Sequence, residues 1–426
     1  NIIGTSNYSD ILKGNSDKNI INGLGGHDTI YGIGGENTLY GGTGVDVIYA
    51  ATTKTGTERG DVVFGGQGID TLIGSFHKDF LIGGEQNGYD VETDWIDYSN
   101  IVLGTNDYGI SVNLEQTTNF TDTVDRAYLN GNYSQVFRLD TNGTNTLNFD
   151  YISQIENITG SSGDDTFTGN TSQNSILAGA GDDIIYYTRG LDYYDGGNHT
   201  TSSGQGSGTP SVGGGDWISL AKETTTTVNF DLYNSSVGAN ITNSSATVTN
   251  IENIIGYNGV QATTGWGTDS NNTFVMYAGN DSIIGRQGND VYDLGDGNDA
   301  AFTSYGNDTV IGGAGIDRLD YTNLYSSANQ ANIIILTSQD LNGDGDTADT
   351  NESVTTSSIT VQGLATLEDG THTFFKIRDG RTGFFDYLYQ ESDGTADIEI
   401  FYLTNITAQA DIFSGDADAN TVYAYA

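Results

Sequence analysis

Apolar side chains recur along this chain at a spacing of nine, which is neither the period of a helix nor that of an ordinary strand. The clearest run is Ile283, Tyr292, Ala301, Val310 and Leu319. Each follows by two residues an aspartate of the series Asp281, Asp290, Asp299, Asp308, Asp317. Each aspartate in turn follows by two residues a glycine of the series Gly279, Gly288, Gly297, Gly306, Gly315. The unit reads G-x-D-x-U, with U apolar. It predicts a six-residue turn, where glycine permits positive φ, and then a three-residue strand whose side chains point outward, inward, outward. Two units complete one coil. Coils stacked about 4.8 Å apart make a right-handed parallel β-roll or β-helix solenoid, with the U series as its inward column.

The same clock runs in two earlier stretches. Asp10, Asn19, Asp28, Asn37 and Asp46 stand nine apart, with Leu12, Ile21, Ile30, Leu39 and Ile48 at the inward position, and after an insertion (Ala50 to Thr57) the series resumes as Asp61, Asp70 and Asp79. A shorter series comprises Asp165, Asn174, Asp183 and Asp192, with Phe167, Ile176, Ile185 and Tyr194 inward. Between arrays an order recurs: an acidic exit such as Asp94-Trp95-Ile96-Asp97-Tyr98, a strand such as Val112-Asn113-Leu114 or Val228-Asn229-Phe230, and a return such as Ile155-Glu156-Asn157-Ile158 or Ile251-Glu252-Asn253-Ile254. The predicted divisions are a first array over 1–99, a calcium-poor β-helical connector over 100–159, a second array over 160–195, a loop excursion and connector over 196–256, a third array over 257–321, and a C-terminal cap over 322–426. The stretch Gly196 to Gly215, rich in Ser, Thr and Gly, reads as an exposed excursion. In the last segment the alternation of Ile398, Ile400 and Tyr402 marks a strand able to close an open solenoid edge.

Composition sharpens this picture. Sixty glycines with a single proline would suit a flexible linker, but the nine-residue order assigns the glycines to repeated turns. The absence of cysteine removes disulfides and thiolate metal sites. Fifty-six acidic against fourteen basic residues give a net charge of −42, which sets the chain against nucleic acid and anionic membrane surfaces as partners and calls for a cation. No apolar run long enough to span a bilayer is present in the sequence, so membrane insertion is not expected.

The aspartate columns say which cation. Carboxylates about 5 Å apart repel by roughly 1 kcal/mol in water and roughly 3 kcal/mol at an effective dielectric near 20, so a ladder of them needs neutralising. The turns offer carboxylates and glycine carbonyls, without nitrogen or sulfur donors. That set suits Ca2+, which takes six to eight oxygens in flexible geometry, and it couples folding to metal binding. A separate candidate is Asp340-Leu341-Asn342-Gly343-Asp344-Gly345-Asp346, where Asp340, Asn342, Asp344 and Asp346 are spaced like the start of an EF-hand loop; Asn351 stands where the bidentate glutamate should be, and an acidic surface turn is the competing reading.

Units such as GLGGHDTIY (23–31), GGTGVDVIY (41–49) and GGQGIDTLI (65–73) resemble the RTX, or haemolysin-type, calcium-binding repeat with consensus GGxGxDxUx, which forms a parallel β-roll. The resemblance implies that Asp28, Asp46, Asp61, Asp70 and Asp79 bind Ca2+ between turns, and with them Asp10, Asp165, Asp183, Asp192, Asp281, Asp290, Asp299, Asp308 and Asp317. It also implies export of an unfolded chain from a Gram-negative-type bacterium through type I secretion machinery, with the secretion signal at or after the C-terminal cap. Asn19, Asn37, Arg59 and His77 depart from the consensus at Asp or Gly positions, which weakens the sites they flank.

Other chemistry is thin. The four histidines form no H-E-x-x-H and there is no G-x-S-x-G, so neither a zinc protease nor a nucleophile elbow is read here. Arg286 and Arg318 are the basic residues a polysaccharide lyase built on a β-helix would use, although pairing with surplus carboxylate is the commoner role. Tyr31, Tyr40 and Tyr49 fall nine apart and predict aromatic stacking between alternate members. Three function classes follow: a self-associating structural protein of the cell surface or matrix, S-layer-like or filamentous, with cell-surface polysaccharide as a further partner; the calcium-folding region of a larger exoprotein; and a solenoid enzyme. The first is the expectation carried forward, with no catalytic residue.

Overall fold

The computed structural model describes residues 1–50, 59–75, 77–85, 92–104, 107–121, 126, 129, 131–140, 145–198, 215–222, 228–239, 245–257, 259–288, 290–302, 309–311 and 318–320, together with strand segments at 365–366, 372–377, 386–391, 400–404 and 421–425. Among these the regular elements are all strands, and the arrays are parallel β-roll. The chain forms two compact units, Asn1–Trp217 with Thr242–Ile251, and Ile218–Ile241 with Glu252–Ala426.

In the first unit, successive half-coils alternate between two parallel ladders. One begins Ile2–Ile3, Ile20–Gly25, Thr38–Thr43, Val62–Gln67, Phe80–Ile82; the other begins Ile11–Lys13, Thr29–Tyr31, Val47–Tyr49, Thr71–Ile73, Trp95–Asp97. Registers follow the eighteen-residue coil: Leu12 pairs with Ile30, and Ile30 with Ile48. Ile48 then pairs with Leu72, and Leu39 with Val63, so the insertion is absorbed without breaking the inward column. Ile21, Ile30, Leu39, Ile48, Val63, Leu72 and Leu81 are all fully buried. The three-residue strand describes one ladder well, but on the other ladder Ile20–Gly25, Thr38–Thr43 and Val62–Gln67 run six residues, because backbone pairing continues through the glycines to Leu24–Gly42 and Gly42–Gly66.

The connector over 100–159 departs from the expected β-helix. Asp107–Phe120 pairs antiparallel with Gly131–Asp140, which pairs antiparallel with Asn145–Ser153. The two outer strands rejoin the parallel ladder, Val112 opposite Phe167 and Ile152 opposite Leu81. One reversed strand is thus inserted into an otherwise parallel sheet. The return segment Asn157–Thr159 lies between Trp95–Asp97 and Ser175–Ala180. On the face of the first array, Phe120, Leu129 and Tyr133 of this excursion pack against Val62, Phe64, Phe80 and Ile82. Phe80 stacks on Tyr151 at 4.8 Å and meets Phe120 edge-on at 4.7 Å.

The second unit repeats the scheme. Asn253–Ile255, Thr273–Val275, Val291–Asp293 and Thr309–Ile311 form one ladder, continued by Asp386–Glu391; Val228–Asp231, Thr264–Trp266, Ser282–Ile284, Ala300–Phe302 and Arg318–Asp320 form the other, continued by Ile400–Thr404 and Thr421–Tyr425. Ile254, Phe274, Tyr292, Val310, Ile283 and Ala301 are buried as the period requires. Gly265 occupies an inward position with no side chain, and the ring of Phe230 fills the space a Cβ would need. Val228–Asp231 also makes an antiparallel hairpin with Ser236–Ala239, so this excursion too carries reversed pairing.

Candidate metal centre

Each turn that leads into a strand brings its aspartate inside. In GGTGVDVIY, Gly44 has φ +134°, and a Cβ there would strike the carbonyl oxygen of Gly26 in the coil before, so only glycine lets the turns approach. Where the second position of a unit is not glycine, the left-handed backbone persists: Leu24, Ile33 and Arg286 hold φ of 75°, 72° and 77°. The turn conformation is imposed by the stack, against residue preference.

The closed turn aims the aspartate at the coil behind it. The backbone N–H of Asp10 donates to Asp28 Oδ1 at 2.8 Å, that of Asp28 to Asp46 Oδ1 at 2.7 Å, that of Asp46 to Asp70 Oδ1 at 2.8 Å, and that of Asp70 to Asp94 Oδ1 at 2.7 Å. The other edge of the first array repeats this with Asn19, Asn37, Asp61, Asp79 and Asp150. The second array has Asp165, Asp183 and Asp216 on one edge and Asn174 and Asp192 on the other. In the third array Asp281 accepts from Thr263 N–H and Asp299 from Asp281 N–H, while Asp290 accepts from Asn272 N–H. Where the acceptor is an ionised carboxylate rather than the Asn37 amide, these are short charge-assisted bonds. Asp28, Asp46, Asp61, Asp70, Asp79, Asp165, Asp183, Asp192, Asp281, Asp290 and Asp299 are all at least 97% buried, and Asp10 is half-buried on the first coil.

One oxygen per carboxylate is thereby used, and the second decides the chemistry. Asp28 Oδ2, Asp46 Oδ2 and Asp183 Oδ2 are buried and accept no hydrogen bond. Burial pushes Asp46 and Asp281 up to about 6 and Asp165 and Asp299 up to about 7, and raises Asp28 and Asp183 as well, with neighbouring carboxylates adding to the rise at Asp28, Asp46, Asp183 and Asp299. Such oxygens call for a proton or a cation.

The surroundings fit Ca2+. A Cβ on Gly23 would strike Asp28 Oδ2 and lie 2.5 Å from the carbonyl oxygen of Gly41; on Gly41 it would strike the carbonyl oxygen of Gly65 and lie 2.5 Å from Asp46 Oδ2. Carboxylate and carbonyl oxygens therefore converge beside each glycine, and the donor set is hard oxygen. Among the described residues no three or more His, Cys, Asp or Glu side chains cluster as a self-contained metal site, so peptide carbonyls must supply the rest of the coordination. Asp28 and Asp46, with Gly41 and Gly65 carbonyls, would hold the ion, which neutralises the column and ties adjacent coils together.

Asp308, Asp317, Asp340, Asn342, Asp344 and Asp346 lie outside the described residues. Three ladder members, Asp94, Asp150 and Asp216, fall off the nine-residue clock because they lie 24, 71 and 33 residues beyond their partners. The local D-x-U of Asp94-Trp95-Ile96, Asp150-Tyr151-Ile152 and Asp216-Trp217-Ile218 is the signal that finds them. Arg286, weighed above as an enzymatic base, holds Asp269 Oδ1 at 2.9 Å and lies 3.5 Å over the Tyr233 ring. Tyr31 and Tyr49 stack at 4.5 Å within the molecule, and Tyr40 stacks on Phe64 at 5.2 Å.

The family model for the RTX calcium-binding nonapeptide repeat matches residues 5–36, 31–51, 55–89, 159–194, 266–301 and 302–320. These stretches follow the three arrays, the match at 159–194 starting one residue ahead of the second array, and leave the antiparallel excursion at 107–153 unmatched. A search of curated proteins found no match.

Proposed function

Because this chain carries RTX calcium-binding nonapeptide repeats in all three arrays, binding Ca2+ through them, we propose that it is a secreted structural protein of a Gram-negative-type cell surface or extracellular matrix, folding on Ca2+ after type I export and self-associating into a lattice or filament. The observation that carries this reading is the extent of the ladder: in both units the described strands are coils of the roll or excursions laid on it.

A second reading makes these repeats the calcium-folding region of a larger RTX exoprotein. Electron microscopy of native material with and without calcium tests the first: ordered assemblies that dissolve in chelator are expected, and a monodisperse protein at high concentration in millimolar calcium would overturn it. Intact mass of the native protein tests the second, which requires a longer chain.

A further inference from the structure

The sequence treats the two edges of each array alike, but their carboxylates are not alike. On the edge of the first array that carries Asp28 and Asp46, the second oxygens of these two aspartates are buried without a donor, while Asp10 on the end coil accepts from Thr5. On the opposite edge the protein supplies donors at each step. Asn37 Nδ2 donates to the Gly34 carbonyl at 2.9 Å and reaches Asp61 Oδ2 at 3.4 Å, Ser75 Oγ donates to Asp79 Oδ2 at 2.6 Å, and Tyr98 Oη donates to Asp150 Oδ2 at 2.9 Å. A cation is present as well. Arg126, from the excursion and 4% exposed, donates through Nη1 to the carbonyl of Gly60 at 2.8 Å and lies 3.5 Å from Glu36, at the turns that precede Asn37 and Asp61.

The second array repeats the division with the edges exchanged. Asp183 Oδ2 is open, although Asp165 on the same edge accepts from the Ser161 N–H and hydroxyl, whereas across the roll Tyr194 Oη donates to Asp192 Oδ2 at 2.7 Å and Asn174 Nδ2 donates to the Glu156 carbonyl at 2.8 Å. The closed edge leads into Thr38–Thr43 and Val62–Gln67 in the first array but into Ser175–Ala180 and Tyr193–Asn198 in the second.

From this geometry we propose that each of the first two arrays loads Ca2+ along one edge only: at Asp28 and Asp46 in the first and at Asp183 in the second. The facing edge is closed by the chain's own amides and hydroxyls, with the Arg126 guanidinium as a built-in counter-ion. An amide there does what the ion does opposite: it brings positive hydrogen to a carbonyl and a carboxylate that would otherwise face each other. The excursion is then part of the neutralisation of the first array, delivering Arg126 to turns where glycine or aspartate of the repeat has been replaced. This assignment rests on calcium binding by the repeats and is independent of self-association.

Calcium bound per full-length chain, counted by native mass spectrometry, separates the edges. Asp46→Asn converts an open step to the amide type seen at Asn37, so it should lower the count by at least one and raise the calcium concentration for half-maximal β-circular dichroism several-fold. Asp79→Asn keeps an acceptor for the Asp61 N–H and a partner for Ser75, so its count should equal wild type. Equal losses in both variants, or an unchanged count in Asp46→Asn, would overturn the assignment. Should either variant fail to reach the β-spectrum in calcium, the wild-type chain decides: terbium located by anomalous scattering should lie beside Asp28 and Asp46, and terbium at the Asn37–Asp61 or Asp61–Asp79 step would refute one-edged loading.

Discussion

Asp28 and Asp46, one coil apart, are joined by a single 2.7 Å bond from the backbone N–H of the first to Oδ1 of the second, and each keeps its other carboxylate oxygen buried without a donor. Removing the neutralising ion leaves the column with buried charge that hydrogen bonding does not compensate. Stripping calcium with excess EGTA should therefore abolish the β-spectrum, and millimolar Ca2+ should restore it. Mg2+ at equal concentration should not, because it demands near-ideal octahedral geometry and keeps its waters. Circular dichroism with the three additions checks this, and a β-spectrum unchanged by EGTA contradicts it.

Acid should partly replace the metal. Asp46 and Asp281 rise to about 6 and Asp165 and Asp299 to about 7 through burial, above the ordinary carboxylate value of 3.8. Between those limits the folded calcium-free chain binds more protons than the unfolded one. Its stability is therefore greatest near pH 4 and is lost as pH rises through 6 to 7. Calcium-stripped protein should show more β-structure at pH 5 than at pH 8, and half-saturating calcium should increase on acidification because protons compete for the same oxygens. A calcium-free fold that gains structure toward pH 8 would contradict the burial of these groups.

The inward column predicts a conventional core defect. Ile48 is fully buried between Ile30 and Leu72. Ile48→Ala should cost about 2–5 kcal/mol in denaturant unfolding at fixed saturating calcium. Thr29→Ala, at a half-buried outward position of the neighbouring strand, should cost less than about 1 kcal/mol.

Turn strain gives a paired test. Gly44→Ala places a Cβ against the Gly26 carbonyl at φ +134° and should cost more than about 1 kcal/mol. Leu24, at φ 75° and 39% exposed, already bears that kind of strain, so Leu24→Gly should lie within about 1 kcal/mol of wild type. Thermal melts of both variants in the same calcium buffer compare them directly.

How far the residues announce this structure depends on where their information lies. The nine-residue clock is local, so Ile30, Ile48, Phe167 and Tyr292 were legible as inward and Asp28 and Asp183 as ladder members. The pairing of Asp79 with Asp150 is not local. It depends on the excursion between them returning a D-x-U to the ladder, which no period encodes. The reversed strand Gly131–Asp140 carries no signal of its direction, because alternation of apolar residues is the same for parallel and antiparallel neighbours. Arg126 was invisible for a similar reason: its partners Gly60 and Glu36 are 66 and 90 residues away in sequence, and nothing near it resembles a turn of the repeat.

The ladder bonds all point one way: the earlier coil offers the N–H and the later coil the oxygen, from Asp10 to Asp28 through Asp70 to Asp94. The strand bonds beside them point the other way: Thr29 N–H donates to the Asp10 carbonyl, Val47 N–H to the Asp28 carbonyl and Thr71 N–H to the Asp46 carbonyl. Each aspartate peptide is therefore clasped twice by the coil that follows, and a cut at any step releases a donor and an acceptor on each side of it. Trimming whole coils from the front and from the back should cost about alike.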